Sequence, residues 1–85
     1  MDYDKVVHFV EYILSQIVTH KEELHVEAVE DERGAVVKVS VNPEDMGRVI
    51  GKSGKMVDVL RTLVQVMGAR EKKRIALRII EPQEA

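Results

Sequence analysis

The sequence predicts an α+β fold in which helices cover one face of a three-stranded sheet, in the order helix-strand-strand-helix-helix-strand. Two segments, 3–19 and 55–67, carry apolar residues at the spacing of amphipathic helices. Three segments, 24–30, 35–41 and 72–80, mostly alternate apolar and polar residues, which is typical of half-buried strands. Helices and strands interleaved in one short chain favour a two-layer domain.

The first helix is predicted over residues 3–19. Asp2 is positioned to cap its start, and His20 and Lys21 follow at the end, where positive charge suits the helix dipole. The chain's aromatic residues lie on this helix and are expected in its core or at its edge: Tyr3, Phe9 and Tyr12. Its apolar face is predicted to contain Val6, Val10, Ile13, Leu14 and Ile17.

The next two segments are predicted to pair as an antiparallel hairpin. The connection Asp31–Gly34 is short and polar, and its glycine is available for a positive φ. The inward residues of 24–30 are predicted to be Leu24, Val26 and Ala28, and those of 35–41 to be Ala35, Val37, Val39 and Val41.

Two helices separated by glycines are predicted in the second half. Asn42 is expected to cap the first of them, with Pro43 at its first helical position. The following helix, 55–67, is expected to end at Gly68, and the last strand, 72–80, completes the sheet. The inner residues are predicted to be Met56, Leu60, Leu63 and Met67 on the helix, and Ile75, Leu77 and Ile79 on the strand.

Length and composition exclude several classes of protein. The 85 residues fit one domain, expected over 1–81 with a polar tail at 82–85. The absence of cysteine excludes disulfides, iron–sulfur clusters and thiol nucleophiles. The short apolar runs and the acidic start Met1–Asp4 favour a cytoplasmic protein that neither spans nor binds a membrane. No nucleophile–base pair or metal-ligand spacing is present, so no enzyme, cofactor, metal or small-molecule substrate is expected.

The charge is divided unevenly along the chain. Residues 1–42 contain four Lys or Arg and nine Asp or Glu, whereas residues 43–80 contain nine Lys or Arg and four Asp or Glu. A basic half beside an acidic half is consistent with one face that binds a polyanion. Charges that neutralise each other across the fold would give the same count.

The motif with the clearest functional signal is the segment Arg48–Lys55, RVIGKSGK. Gly51 and Gly54, three residues apart, allow a sharp turn and a close approach of the backbone to another chain. The N-terminus of the following helix attracts anions, and Arg48, Lys52 and Lys55 add positive charge. These features predict a site for phosphate groups.

Two other interpretations of this motif are weaker. Gly51-Lys52-Ser53 resembles the end of a nucleotide-binding P-loop, but that motif requires glycine at position 46, which is Met46, and a preceding strand. A plain corner between two helices explains one glycine, but it does not explain two glycines that flank Lys-Ser within the basic half.

The sequence resembles the KH family of RNA-binding domains, because Val49-Ile50-Gly51-Lys52-Ser53-Gly54-Lys55 matches its I-G-x-x-G signature between two helices. The element order resembles the type II arrangement, and the size resembles the single-domain bacterial KH proteins of the Khp family. The resemblance implies a cytoplasmic RNA-binding protein and RNA chaperone. It also implies pairing with a second copy or with a larger Jag-type KH protein, and a link to cell-wall homeostasis and cell length.

The resemblance assigns roles to individual residues. Its loop would clamp the backbone of about four single-stranded nucleotides, with Lys52 as a point charge and Ser53 as a hydrogen-bond partner. Ile50 and Val57 are expected to form the apolar floor under the bases. Further phosphate contacts are expected from Arg48, Lys55 and Arg61.

A basic run precedes the last strand and has two interpretations apart from the resemblance. Such a run is usually a solvated turn, but its charge also fits an extension of the electrostatic track for RNA. The run consists of Arg70, Lys72, Lys73 and Arg74.

Two hypotheses about function therefore remain open. In the first, the chain binds single-stranded RNA without catalysis, with modest affinity because the loop lacks aromatic residues for stacking. In the second, it is an interaction module that partners another KH protein and contributes little RNA contact. The wide apolar arc of the helix predicted over 55–67 includes candidates for such a partner surface.

Overall fold

The computed structural model describes residues 3–80 and shows the predicted order of elements. Three helices, α1 (Asp4–Ser15), α2 (Met46–Ile50) and α3 (Lys55–Arg70), accompany three strands, β1 (His25–Glu30), β2 (Gly34–Ser40) and β3 (Arg74–Ile80). Short 3-10 turns cover Lys21–Glu23, Pro43–Asp45 and Lys52–Gly54. The expected cap Asp2 and the expected tail 82–85 lie outside the described residues.

The sheet has the order β1-β2-β3 and is mixed. β1 pairs with β2 antiparallel, as predicted for a hairpin, and β3 pairs with β2 parallel. Because β2 is central, β3 has one free edge, which borders α3. The predicted alternation is confirmed in β2 and β3, whose inward residues are buried: Ala35, Val37 and Val39 on β2, and Ile75 and Leu77 on β3.

The core lies between the sheet and the helices α1 and α3. α1 contributes Val6, Val10 and Leu14, and Tyr3 just before the helix is also buried, whereas Tyr12 is exposed on the outer face of α1. Asn42 caps the turn before α2 as predicted, since its side chain accepts a hydrogen bond from the Glu44 amide and Pro43 follows it.

The prediction for the end of the first helix was wrong by one turn. α1 ends at Ser15, so His20 and Lys21 are not at its C-terminus. The backbone amides of Thr19 and His20 instead donate to the carboxylate of Asp45, at 2.9 and 3.0 Å. A contact across 25 residues therefore determines the path of the chain after α1.

The predicted face of the third helix was also displaced by one position. Leu60 is buried as predicted, but the other buried residues are Val57, Val64 and Gly68, while Met56, Leu63 and Met67 are only partly buried. Val59 and Val66 are 52% and 57% exposed. The broad apolar arc of this helix is compatible with several orientations, and contact with β3 selects one of them.

Two glycines have roles other than those predicted. Gly68 lies inside α3 rather than at its end. Glycine is needed there because a Cβ would come within 2.6 Å of the Lys73 carbonyl oxygen and 2.8 Å of Ile75 Cγ1. Gly34 has no positive φ; a Cβ there would overlap the backbone of Arg74. Both glycines are needed for close packing against the start of β3, which begins at Arg74 rather than at residue 72.

Candidate nucleic-acid interface

The loop between α2 and α3 has an unusual backbone. Gly51, Ser53 and Gly54 have φ values of +79°, +57° and +76°. Ser53 is one of only two non-glycine residues with positive φ in the part of the chain that the structure describes. The turn leaves Lys52 and Ser53 exposed at its tip, immediately before the N-terminus of α3. The amide groups of a first helical turn lack partners within the helix and attract anions.

The two glycines of this loop are required for different physical reasons. A Cβ on Gly51 would lie 2.6 Å from Met56 Cβ and 2.8 Å from the Met56 amide nitrogen, so Gly51 permits the turn itself. No described atom lies within 4 Å of the position of a Cβ on Gly54. The space in front of Gly54 is therefore open to an incoming chain.

Positive charge surrounds the loop. Lys52 and Lys55 are exposed, and neither ammonium group lies within 4 Å of a carboxylate in residues 3–80. Arg48 is also exposed, but its Nε lies 3.5 Å from Asp45 Oδ1. Two uncompensated cations at the loop and a third held beside it form a surface that attracts phosphate groups.

A groove of about 260 Å³ lies on the β3 side of the loop. It is lined by Met46, Ile50, Val57, Arg61, Arg78 and Ile79. Ile50 is 36% exposed, whereas Val57 is only 6% exposed. The predicted apolar floor therefore consists mainly of Ile50, with Val57 beneath it.

Arg61 joins α3 to the free edge of β3. Its Nε donates to the carbonyl oxygen of Leu77 at 3.4 Å, and its Nη1 lies 3.6 Å from Asp58 Oδ1. The guanidinium is thereby held along the groove wall. Sequence reasoning missed Met46 on α2 and Arg78 and Ile79 on β3 as groove residues. Arg78 and Ile79 reach the groove through the parallel pairing of β3 with β2, which has no local signal in the sequence.

Asp45 anchors α2 from behind. Its fully buried carboxylate accepts hydrogen bonds from the Thr19 amide, the Thr19 hydroxyl and the His20 amide. Burial by itself would raise the pKa of Asp45, but these hydrogen bonds outweigh burial and lower the pKa below its ordinary value. The sequence indicated only a carboxylate near a helix start, so this role was also missed.

The P-loop alternative does not fit this geometry. The residues before Gly51 form α2, whereas a P-loop must follow a strand.

A metal site was not predicted, yet His20, Glu22 and Glu23 place ligand atoms within 4.8 Å of one another. These side chains are partly or fully exposed on the turn after α1, and Glu23 already accepts a hydrogen bond from Asn42. No helix in residues 3–80 is long and apolar enough to cross a bilayer.

Alanine substitutions at the two loop glycines should have different effects. We expect Gly54→Ala to cost about 1 kcal/mol of stability, the cost of a left-handed conformation for a residue with a Cβ, and to weaken RNA binding because the Cβ enters the open space. Gly51→Ala adds a steric overlap and should cost more than about 2 kcal/mol.

Chemical denaturation and RNA binding of both variants, with Gly47→Ala as the control, measure this difference. Gly47 is exposed in α2 and its Cβ would meet no described atom within 4 Å. Equal losses of stability at positions 51 and 54, or unchanged RNA binding by Gly54→Ala, would contradict the two roles.

Comparison with known proteins agrees with this geometry. The sequence model of the family described as "KhpA/KhpB, KH domain" matches residues 7–79. A protein named RNA-binding protein KhpA from Clostridium perfringens is 38% identical over 71 residues, covering 84% of this chain and 95% of that protein. The protein of the same name from Listeria monocytogenes strain EGD-e is 42% identical over 69 residues, covering 81% and 91%.

A third relative gives the same result. RNA-binding protein KhpA from Aquifex aeolicus is 35% identical over 72 residues, covering 85% of this chain and 91% of its own. No solved structure matched the chain. The family is not enzymatic, in agreement with the prediction from the sequence. The family match, the α+β topology and the glycine loop between α2 and α3 together show that this chain belongs to the KhpA/KhpB family and folds as a type II KH domain.

Proposed function

We propose that this protein binds single-stranded RNA without catalysis and clamps the RNA backbone at Gly51–Gly54. The observation that carries the proposal is the exposed loop with two uncompensated lysines beside an apolar groove. The curated relatives, which are named RNA-binding proteins, support the same function.

The mechanism follows from the loop and the groove. The basic half attracts the RNA, after which Lys52 contacts phosphate as a point charge and the Ser53 hydroxyl donates a hydrogen bond. Gly54 leaves room for the phosphate to approach the backbone. Bases then lie over Ile50, with Arg48, Lys55 and Arg61 adding contacts at the sides. Because no aromatic residue lines the groove, we expect modest affinity and little sequence preference.

The salt dependence of binding tests this proposal. If about four phosphates are held, the logarithm of the affinity should fall with the logarithm of the salt concentration with a slope between about −2 and −3. Fluorescence anisotropy with a short single-stranded RNA at several salt concentrations measures the slope. A slope near zero would contradict a clamp on phosphate groups.

We extend the proposal to cellular role on family resemblance. The protein would act in the cytoplasm as an RNA chaperone in post-transcriptional regulation, with a link to cell-wall homeostasis and cell length. It would pair with a second copy or with a larger Jag-type KH protein. Pairing would raise the effective concentration of a second RNA-binding site, which compensates for a footprint of about four nucleotides.

The alternative is an interaction module with little RNA contact of its own. The observation that favours it is the pair Val59 and Val66, both exposed and seven residues apart on α3. A protein that self-associates but binds no RNA in the anisotropy experiment would support this alternative over the clamp.

A further inference from the structure

A second cavity lies away from the loop Gly51–Gly54, which we call the GKSG loop. It has a volume of about 910 Å³ and is lined mainly by cations: Arg33 from the turn between β1 and β2, Lys72 and Lys73 from the connection between α3 and β3, and Arg74 at the start of β3. We refer to this cavity as the distal groove. The proposed clamp makes no use of it.

The cations of the distal groove are not neutralised by neighbouring carboxylates. Within residues 3–80, none of the four side chains lies within 4 Å of a carboxylate oxygen. Glu32 and Glu71 are their acidic neighbours in sequence, and neither forms an ion pair with them. The distal groove is therefore a concentration of positive charge that no carboxylate within residues 3–80 neutralises through an ion pair.

The distal groove continues the groove beside the loop. Val57 and Arg61 line the first groove and Gln65 lines the second, and positions four residues apart share one face of α3. β3 lines both grooves along the same free edge, with Arg78 in the first and Arg74 in the second. The hydrogen bond from Arg61 to Leu77 lies between the two grooves.

We propose that the distal groove is a second phosphate-binding site, which holds the continuation of the same RNA strand beyond the nucleotides clamped at Gly51–Gly54. This inference rests on the proposed function. The segment of β3 from Arg74 to Ile79 spans about 16 Å, and a stacked strand advances about 3.4 Å per nucleotide. The distal groove therefore extends the RNA footprint by about five nucleotides.

The test compares single-stranded RNAs of about four and about ten nucleotides. The double variant Lys73→Gln, Arg74→Gln removes two exposed cations, and Lys72 is left unchanged because its φ is +57°. A longer RNA offers more overlapping short sites, which by itself raises the apparent affinity. The wild type should bind the longer RNA several-fold more tightly than this number of sites explains. The variant should lose this gain and reduce the salt slope by about 1.4, while it binds the short RNA as the wild type does.

Two further variants control for charge and for folding. Lys5→Gln, Lys21→Gln removes the same charge from exposed positions on the acidic half and should retain the gain with length. Lys73→Arg, Arg74→Lys keeps both charges and should also retain it. An equal loss in the Lys5, Lys21 control, or no loss in the distal-groove variant, overturns the proposal. A change in oligomeric state without a change in RNA binding also overturns it, because the groove would then hold an acidic surface of a second copy.

Failure of the proposed function gives a different result. If the short RNA binds equally to the wild type and to a variant of the loop, the clamp itself is wrong. If the short RNA depends on the loop and the longer RNA does not depend on Lys73 and Arg74, only the distal groove is wrong.

Discussion

The double variant Lys52→Asp, Ser53→Asp is expected to lose RNA binding by a factor of at least about 100 while it remains folded. Each substitution replaces a contact to phosphate with a repelling charge, and a hydrogen bond to a charged group is worth about 1.5–3 kcal/mol. Both side chains are exposed, and aspartate tolerates the left-handed backbone of Ser53. Binding by anisotropy and thermal stability by circular dichroism measure the two effects.

The matched control is Lys5→Asp, Lys21→Gln, which changes the net charge equally at exposed positions on the acidic half. We expect this control to weaken binding by no more than a few-fold, since it acts only through the overall field. Equal losses in both variants would show that RNA binding depends on total charge and that the loop is not the site.

Substitution of Asp45 is expected to have the largest effect on stability. Asp45→Ala leaves the Thr19 amide, the Thr19 hydroxyl and the His20 amide without their acceptor, in a site that water does not reach. We expect the melting temperature to fall by at least about 10 °C. Glu44→Ala is the control, because it removes the adjacent but exposed carboxylate and should change the melting temperature by less than about 3 °C. Similar effects at both positions would contradict the anchoring role.

The lowered pKa of Asp45 gives the same prediction a pH dependence. The unfolded chain has an aspartate pKa of about 3.9, so the stabilisation from the folded carboxylate is complete above that pH. It is lost as the pH falls through the lower pKa of the folded state. The difference in stability between wild type and Asp45→Ala should therefore shrink as the pH is lowered below about 4.

Features with a local sequence signal were predicted correctly. The alternation in β2 and β3 identified their buried residues, because the two faces of a strand repeat every second residue. Asn42 and Pro43 identified the start of the turn before α2. The position of the GKSG loop between two helices was equally evident, since glycine spacing and charge are both visible in the sequence.

Features that depend on distant contacts were not predictable. The path of the chain after α1 is determined by Asp45, and the packing of Gly34 and Gly68 is determined by the start of β3. The orientation of α3 was ambiguous because valine, leucine and methionine occupy nearly half of its circumference. The parallel pairing of β3 brings Arg78 to the candidate site, and no periodicity records that pairing.

The roles assigned to the individual loop and groove residues are predictions that RNA-binding experiments test. The structure adds a physical distinction among them. Lys52 and Lys55 are uncompensated, whereas Arg48 and Arg61 are already held by Asp45, Asp58 and the Leu77 carbonyl. We therefore expect the two lysines to gain the most from a phosphate.

The central claim is that RNA is held at the GKSG loop, and an NMR titration tests it most directly. Amide shifts of the uniformly 15N-labelled protein would be followed while single-stranded RNA of about ten nucleotides is added. We expect the largest changes at Gly51–Gly54 and at Ile50 and Arg61, with α1 unaffected. Changes confined to α1 and β1, with the loop unmoved at saturation, would contradict it.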